Sequence, residues 1–231
     1  MIRTEQVALG RVDGHVTHAE RPRSGVLILP TVTGVDDHMR ERAGMLAEAG
    51  FSSLIWNPYP GQPPPADMAQ AQTMAAKLDD GVLGAMTACV DHMLGAMKLP
   101  AVAVMGFCLG GRYAVVLAGK DKRLVACVPY YPSIRVPNKP NESEDALALA
   151  AQIACPVHLI HGTADKVFLQ PVFEALRGIL EQRKVATMVQ VHPGADHSFV
   201  RPALHSNLAN VIATRVSWPP VVSFLQSCLP H

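Results

Sequence analysis

Short runs of apolar residues alternate along the chain with longer segments that have the spacing of helices. Uninterrupted runs rich in Val, Ile and Ala are typical of β-strands that are buried on both faces of a sheet. Five such runs lie at 25–30, 53–56, 101–105, 124–128 and 157–160. A sixth run, at 187–191, alternates more between apolar and polar residues, which predicts a position nearer the edge of the sheet.

The segments between these strands predict helices. Asp36 or Asp37 can cap a first helix, which is expected to end at Gly50. Helical spacing continues at 69–98, 109–119, 169–184 and 205–217. Strands that alternate with helices in this way predict βαβ units, and therefore an α/β fold with a mainly parallel sheet that helices cover on both faces.

Two regions depart from this alternation. The first 20 residues have no helical pattern, and we expect a small antiparallel hairpin there. Pro219 and Pro220 lack the backbone N–H that a helix interior needs, so the last helix is expected to stop near Trp218 and to restart beyond it. The proline-rich stretches 60–65 and 131–137 have strands on either side, and no flexible linker is visible. We therefore expect a single domain over residues 1–231.

Charge and hydropathy exclude several classes of partner. The 20 Lys and Arg residues nearly balance the 19 Asp and Glu residues, so no overall field attracts nucleic acid or an anionic membrane. The chain has no secretory signal pattern and no apolar run near the roughly 18 residues that span a bilayer. We expect no nucleic-acid or membrane partner. Because no long apolar stripe is evident, we also expect a monomer.

The cysteines indicate a reducing compartment. Five cysteines are an odd number, lie far apart and form no C-x-x-C pair, which argues against a disulfide framework and against a zinc site. We expect a cytoplasmic protein without a metal or an organic cofactor. The cysteines are Cys89, Cys108, Cys127, Cys155 and Cys228.

One of these cysteines occupies a pattern typical of nucleophiles. The strand at 101–105 continues into Gly106-Phe-Cys-Leu-Gly110 and then into a helix, which matches the G-x-S-x-G nucleophile elbow with cysteine in place of serine. The glycines leave room for a strained turn, and the start of the following helix favours a thiolate at Cys108. The alternative is a glycine-rich turn of a nucleotide-binding fold with an incidental cysteine, although the segment does not match G-x-G-x-x-G.

Candidates for the acid and the base follow Cys108 in the order that the elbow fold uses. Asp165 comes after the strand at 157–160, and His197 comes after the strand at 187–191. The carboxyl ends of parallel strands meet at one edge of the sheet, so the three side chains are expected to converge. Asp196 is a competing carboxylate, but as the neighbour of His197 in sequence it is expected to point away from the imidazole. The sequence thus predicts a Cys-His-Asp triad.

Together, these motifs resemble the dienelactone hydrolase family of α/β-hydrolases. The resemblance extends from about residue 25 to the C-terminus and rests on Gly106-Phe-Cys-Leu-Gly-Gly111, His161-Gly-Thr-Ala-Asp165 and His197-Ser-Phe-Val-Arg201. It implies an α/β-hydrolase fold and hydrolysis of an enol-lactone or a similar activated ester through an acyl-enzyme. It also implies that Arg201 binds a carboxylate of the substrate.

The chain departs from the family at two positions. Thr31 stands where the family has a glutamate that pairs with the resting thiol. The second carboxylate-binding arginine would fall within 62–80, where Lys77 is the only cation. These departures favour an alternative in which the same triad hydrolyses neutral carboxylesters, thioesters or phosphotriesters.

Further residues are predicted to hold the oxyanion and to line the substrate pocket. The backbone N–H groups of Leu109 and Val32 are predicted to hold the oxyanion. Aromatic residues are predicted to line a more apolar pocket; they are Trp56, Tyr59, Tyr130 and Tyr131. An alternative of another class is a non-catalytic ligand-binding or redox-sensing protein with a peroxide-reactive Cys108.

Overall fold

Eight strands of the chain form one sheet. The computed structural model describes residues 2–22 and 24–229. Its strands are β1 Arg3–Leu9, β2 Val12–His18, β3 Ser24–Leu29, β4 Phe51–Trp56, β5 Val102–Phe107, β6 Leu124–Tyr130, β7 Val157–Gly162 and β8 Thr187–His192. Its helices are α1 Asp37–Glu48, α2 Met68–Ala75, α3 Leu83–Leu94, α4 Leu109–Lys120, α5 Ala146–Ala150, α6 Gln170–Glu181 and α7 Leu208–Cys228.

The strand order is β1-β2-β4-β3-β5-β6-β7-β8. β3 to β8 pair in parallel, whereas β1 and β2 form an antiparallel hairpin that joins the sheet through β4. The predicted mainly parallel sheet, the hairpin and the edge position of β8 are therefore confirmed. The central strands β3, β4, β5 and β7 are buried along their whole length, as their uninterrupted apolar runs predicted.

The single helix predicted at 69–98 is wrong. α2 ends at Ala75, and α3 begins at Leu83 after a short 3₁₀ turn over Asp80–Val82. Asp79 caps this turn by accepting a hydrogen bond from the backbone N–H of Gly81. Asp80 turns inward to a buried arginine. Because aspartate side chains compete with helical hydrogen bonds for backbone donors, the pair interrupts the helix.

The break predicted near Trp218 is also absent. α7 runs without interruption to Cys228 and contains both Pro219 and Pro220. Residues on both sides of the prolines are buried against the sheet, among them Ala213, Val221 and Leu225. Packing along the whole length thus outweighs the two hydrogen bonds that the prolines remove. Within the described residues, none of the helices has the length and apolar character needed to cross a membrane.

Candidate active site

Cys108 occupies a strained turn between β5 and α4. Its backbone has φ 54° and ψ −112°, a region that residues other than glycine rarely adopt. Neighbouring glycines permit the turn: a Cβ on Gly106 would overlap the carbonyl of Gly110, and a Cβ on Gly110 would overlap the carbonyl of Leu29. The turn places Cys108 at the N-terminus of the twelve-residue helix α4, where the helix dipole favours a negative charge.

Asp165 and His197 form a hydrogen-bonded pair. His197 Nδ1 lies 2.7 Å from Asp165 Oδ2, and the Asp165 side chain is fully buried. The other carboxylate oxygen, Oδ1, accepts hydrogen bonds from the backbone N–H groups of Val167 (2.7 Å) and Phe168 (2.8 Å). These bonds fix the carboxylate and thereby the orientation of the imidazole.

The loops that carry this pair are packed closely together. Thr163 N–H donates to the carbonyl of His192, and Ala164 N–H donates to that of Ala195. A Cβ on Gly162 would overlap the Ala195 carbonyl, so a glycine is needed where the two loops approach. The competing carboxylate Asp196 instead accepts hydrogen bonds from the amides of Asn207 and Asn210.

The surroundings of His197 favour its protonated form. Burial lowers the pKa of the imidazole, but the negative charge of Cys108 and the hydrogen bond to Asp165 outweigh this effect and raise the pKa to about 10. His197 Nε2 has no hydrogen-bond partner among the described residues, so Cys108 acts on it chiefly through charge. The ring also packs edge to face against Tyr131, with 5.2 Å between ring centroids.

The two predicted oxyanion donors lie on adjacent segments, because Leu109 is the first residue of α4 and Val32 lies in the loop after β3. Gly110 N–H donates to the carbonyl of Pro30 at 3.0 Å, which brings the start of α4 against the loop after β3. The N–H groups of Leu109 and Val32 donate to no acceptor within the described part of the chain. Two unpaired donors beside a candidate nucleophile are the arrangement that stabilises an oxyanion.

Cys108, His197, Leu109 and Val32 line a common cavity of about 600 Å³. One side of this cavity is largely apolar and is formed by α2 and its C-cap, through Met68, Ala75 and Ala76 together with the polar Gln72. The polar side of the cavity is formed by the loop after β6, which contributes Ser133, Arg135, Lys139, Asn141 and Glu142. The described residues hold no group of three or more His, Cys, Asp or Glu suited to a metal ion.

Comparison with known proteins identifies the family. The sequence pattern of the dienelactone hydrolase family matches residues 12–229. The chain belongs to the dienelactone hydrolase family. It is 26% identical over 212 residues to the carboxymethylenebutenolidase of Rhodococcus opacus, an alignment that covers 88% of this chain and 81% of that protein. The predictions of the family and of a carboxylic ester hydrolase are thus confirmed.

Solved structures share the fold. A dienelactone hydrolase-like promiscuous phosphotriesterase from metagenomic libraries superposes with a TM-score of 0.81 at 23% identity, and the match covers 99% of both chains. The dienelactone hydrolase of Anabaena variabilis superposes with a TM-score of 0.67 at 18% identity over 99% of this chain and 98% of that one. The predicted α/β-hydrolase fold is confirmed.

Thr31, at the position of the family's glutamate, is already engaged. Thr33 donates its hydroxyl proton to Asp36 Oδ2 at 2.7 Å. Thr31 Oγ1 lies 2.7 Å from Thr33 Oγ1, so the proton between the two hydroxyls comes from Thr31. Thr31 lines the cavity but has no further proton to donate to the thiol.

Arg201 lines the same cavity and contacts the loop after β3. Its guanidinium donates to Thr33 Oγ1 at 3.4 Å and lies 3.7 Å from Asp36 Oδ2. Both contacts are long, and the side chain is about one-quarter exposed. The guanidinium therefore retains donors for a ligand in the cavity.

The cations beside Arg201 come from a different segment than 62–80. Lys77 does not line the cavity, whereas Arg135 and Lys139 do. Arg135 is exposed and has no hydrogen bond or ion pair with any described residue, while Lys139 lies 3.5 Å from Glu142. Within the described residues, the further cations that line the cavity besides Arg201 therefore lie in the loop after β6.

The predicted aromatic lining is wrong, because the four side chains make other contacts. Trp56 packs edge to face against Tyr113, and Tyr130 stacks on Phe107 with 4.8 Å between ring centroids. Tyr59 donates its hydroxyl to the carbonyl of Val32 at 2.7 Å. All four rings are at most 4% exposed, and none lines the cavity; they are Trp56, Tyr59, Tyr130 and Tyr131.

A buried ionic network supports the polar side of the cavity and was not predicted. Arg112 makes a two-pronged contact with Asp80 at 2.7 and 3.1 Å, and its Nε lies 3.4 Å from Glu142. It also donates to the carbonyl of Glu144 at 2.8 Å. All three charged side chains of the network are at most 4% exposed. The network therefore fixes the loop after β6 against α4.

Proposed function

We propose that the chain hydrolyses enol-lactones and activated carboxylic esters through Cys108, His197 and Asp165. The observation that carries this proposal is the shared cavity. Cys108, held in a strained turn, lines it together with His197, whose imidazole is oriented by the buried Asp165. The cations Arg135, Lys139 and Arg201 at the same cavity support a substrate that carries a carboxylate.

In the proposed mechanism, the Cys108 thiolate attacks the ester carbonyl carbon. The oxyanion that forms accepts hydrogen bonds from the N–H groups of Leu109 and Val32. Collapse of this intermediate breaks the bond to the leaving oxygen, which takes a proton from His197 Nε2, and a thioester on Cys108 remains. A water molecule then gives a proton to His197 and attacks the thioester, which releases the acid and restores the thiolate.

The raised pKa of His197 leads to a pH prediction. A protonated imidazole stabilises a neighbouring thiolate, so at neutral pH iodoacetamide should alkylate Cys108 faster in wild type than in His197→Gln. As pH rises through about 10, His197 loses the proton that the leaving group needs, and kcat/KM should fall. His197→Gln lacks this proton at every pH, so its kcat/KM should be low and should not fall further near pH 10.

The other four cysteines should contribute little to the measured alkylation. Burial raises the pKa of each one, to about 12 for Cys89 and about 11 for Cys155. Cys108→Ala provides the blank. Wild-type alkylation at neutral pH no faster than that of His197→Gln would contradict stabilisation of the thiolate by His197.

A substrate comparison tests the carboxylate role of Arg201. Arg201→Ala should lower kcat/KM for a dienelactone by about 10- to 100-fold, the range for a lost hydrogen bond to a charged group, and by less than about 3-fold for a neutral p-nitrophenyl ester. Arg135→Ala should have a smaller effect of the same sign, because its side chain is exposed. Arg177→Ala is the matched control, since this exposed arginine pairs with Glu181 on α6.

Equal losses on both esters would mean that Arg201 acts through its contacts with Thr33 and Asp36 and not on the substrate's carboxylate.

A second candidate function is hydrolysis of neutral carboxylesters, thioesters or phosphotriesters by the same triad. The apolar side formed by α2 favours it, and the structural relative described above is a promiscuous phosphotriesterase. A wild-type preference for the neutral ester would decide for this candidate.

A further inference from the structure

Ser133 carries a buried hydroxyl group that nothing in the protein satisfies. The residue is 4% exposed and lines the cavity, yet its Oγ has no hydrogen-bond partner among residues 2–22 and 24–229. Buried hydroxyl groups are nearly always hydrogen-bonded, so an unpaired one beside a candidate nucleophile calls for a partner from outside the chain. His197 Nε2, which awaits a proton acceptor in the proposed mechanism, is unpaired in the same way.

The backbone holds Ser133 rigidly beside the candidate nucleophile. Ser133 N–H donates to the carbonyl of Cys108 at 2.9 Å. Tyr131 has a positive φ of 34°, which turns the chain sharply after β6 and towards α4. The close approach requires Gly111, where a Cβ would lie 2.8 Å from Pro132 Cα. The hydroxyl is therefore preorganised, and binding a ligand to it costs little additional ordering.

Two of the other three hydroxyl groups at the cavity are already in use, and the third belongs to Ser198, which is only partly buried. Thr31 donates to Thr33, and Tyr113 donates to the carbonyl of Asp79 at 3.5 Å. The Ser133 hydroxyl can both donate and accept, and it can rotate to suit either kind of partner. It is thus suited to an oxygen-bearing group close to the scissile carbonyl.

We propose that Ser133 Oγ binds an oxygen substituent on the carbon next to the scissile carbonyl, which selects 2-hydroxyacyl and 2-oxoacyl esters. This inference rests on the proposed function, because it requires acyl transfer to Cys108. The acyl group is the part of the substrate that remains attached to Cys108 in both steps. The Ser133 backbone is bonded to the Cys108 carbonyl and its side chain lines the same cavity, so the hydroxyl is positioned to reach the acyl group in both steps.

The test compares phenyl lactate, which has the 2-hydroxyl group, with phenyl propionate, which lacks it. Ser133→Ala should lower kcat/KM for phenyl lactate by about 10-fold and for phenyl propionate by less than about 2-fold. For each ester, kcat/KM of the variant is divided by that of wild type, so the different intrinsic reactivities of the two esters cancel. Ser133→Thr, which keeps a hydroxyl group, should recover most of the discrimination.

Ser53→Ala is the matched control. Ser53 is a fully buried residue of β4 whose Oγ also has no partner in the described part of the chain, but it does not line the cavity. Its loss should change neither rate. A Ser133→Ala variant that loses equally on both esters, or on neither, would overturn the assignment. If wild type hydrolyses neither ester, the proposed function fails and the inference fails with it.

Discussion

Replacing Cys108 with alanine is expected to lower kcat/KM for activated esters by a factor of about 10⁴ or more. The loss is large because the thiolate forms the covalent bond to the acyl group, and the other site residues cannot supply a nucleophile. The fold should be unaffected, since alanine fills the same strained backbone position and the Cys108 side chain is small. Steady-state kinetics and thermal unfolding of the same samples measure both effects.

Cys155→Ala is the control for this variant. Cys155 is buried but does not line the cavity, and burial raises its pKa to about 11. It should keep nearly the wild-type rate. If Cys108→Ala retained turnover within a few fold of wild type while staying folded, the nucleophile assignment would be wrong.

Replacing Arg112 with methionine should lower the free energy of unfolding by about 3–5 kcal/mol. The substitution keeps an apolar stem of similar length but leaves the carboxylates of Asp80 and Glu142 buried without the arginine. Burial raises the pKa of Asp80, but the hydrogen bonds from Arg112 and the Glu144 backbone N–H, together with the charge of Arg112, outweigh burial and lower the pKa, so this carboxylate stays charged. Urea unfolding at neutral pH measures the loss.

Arg123→Met provides the comparison for Arg112. Arg123 pairs with Asp91 and Asp121, but its side chain is nearly half exposed. Exposed pairs of this kind contribute about 1 kcal/mol or less. Similar losses for the two variants would mean that the Arg112 network adds no more than a surface ion pair.

Local sequence patterns were sufficient to predict the framework of the site. The apolar runs located the parallel strands, because burial on both faces leaves no polar alternation. The glycines around Cys108 predicted the turn, since the carbonyls of Leu29 and Gly110 leave no room for a Cβ. The order of Asp165 and His197 after their strands then predicted a hydrogen bond that the structure places at 2.7 Å.

Contacts between segments that are distant in the sequence could not be predicted from local patterns. The direction of Tyr59 depends on the Val32 carbonyl, which lies 27 residues away in the chain. The interruption between α2 and α3 depends on Arg112, which draws Asp80 inward from 32 positions away. Likewise, the cations of the cavity come from the loop after β6, whose position is set by packing against α4 rather than by any local pattern.

The mass of the protein during turnover of an activated ester shows directly whether Cys108 carries the acyl group. Acid quenching followed by intact-mass and peptide analysis should show one acyl group as a thioester on Cys108, and His197→Gln should retain it longer because water activation is lost. The adduct should be absent from Cys108→Ala. Sustained hydrolysis by Cys108→Ala, or an acyl group attached to a different residue, would contradict the assignment of Cys108 as the nucleophile.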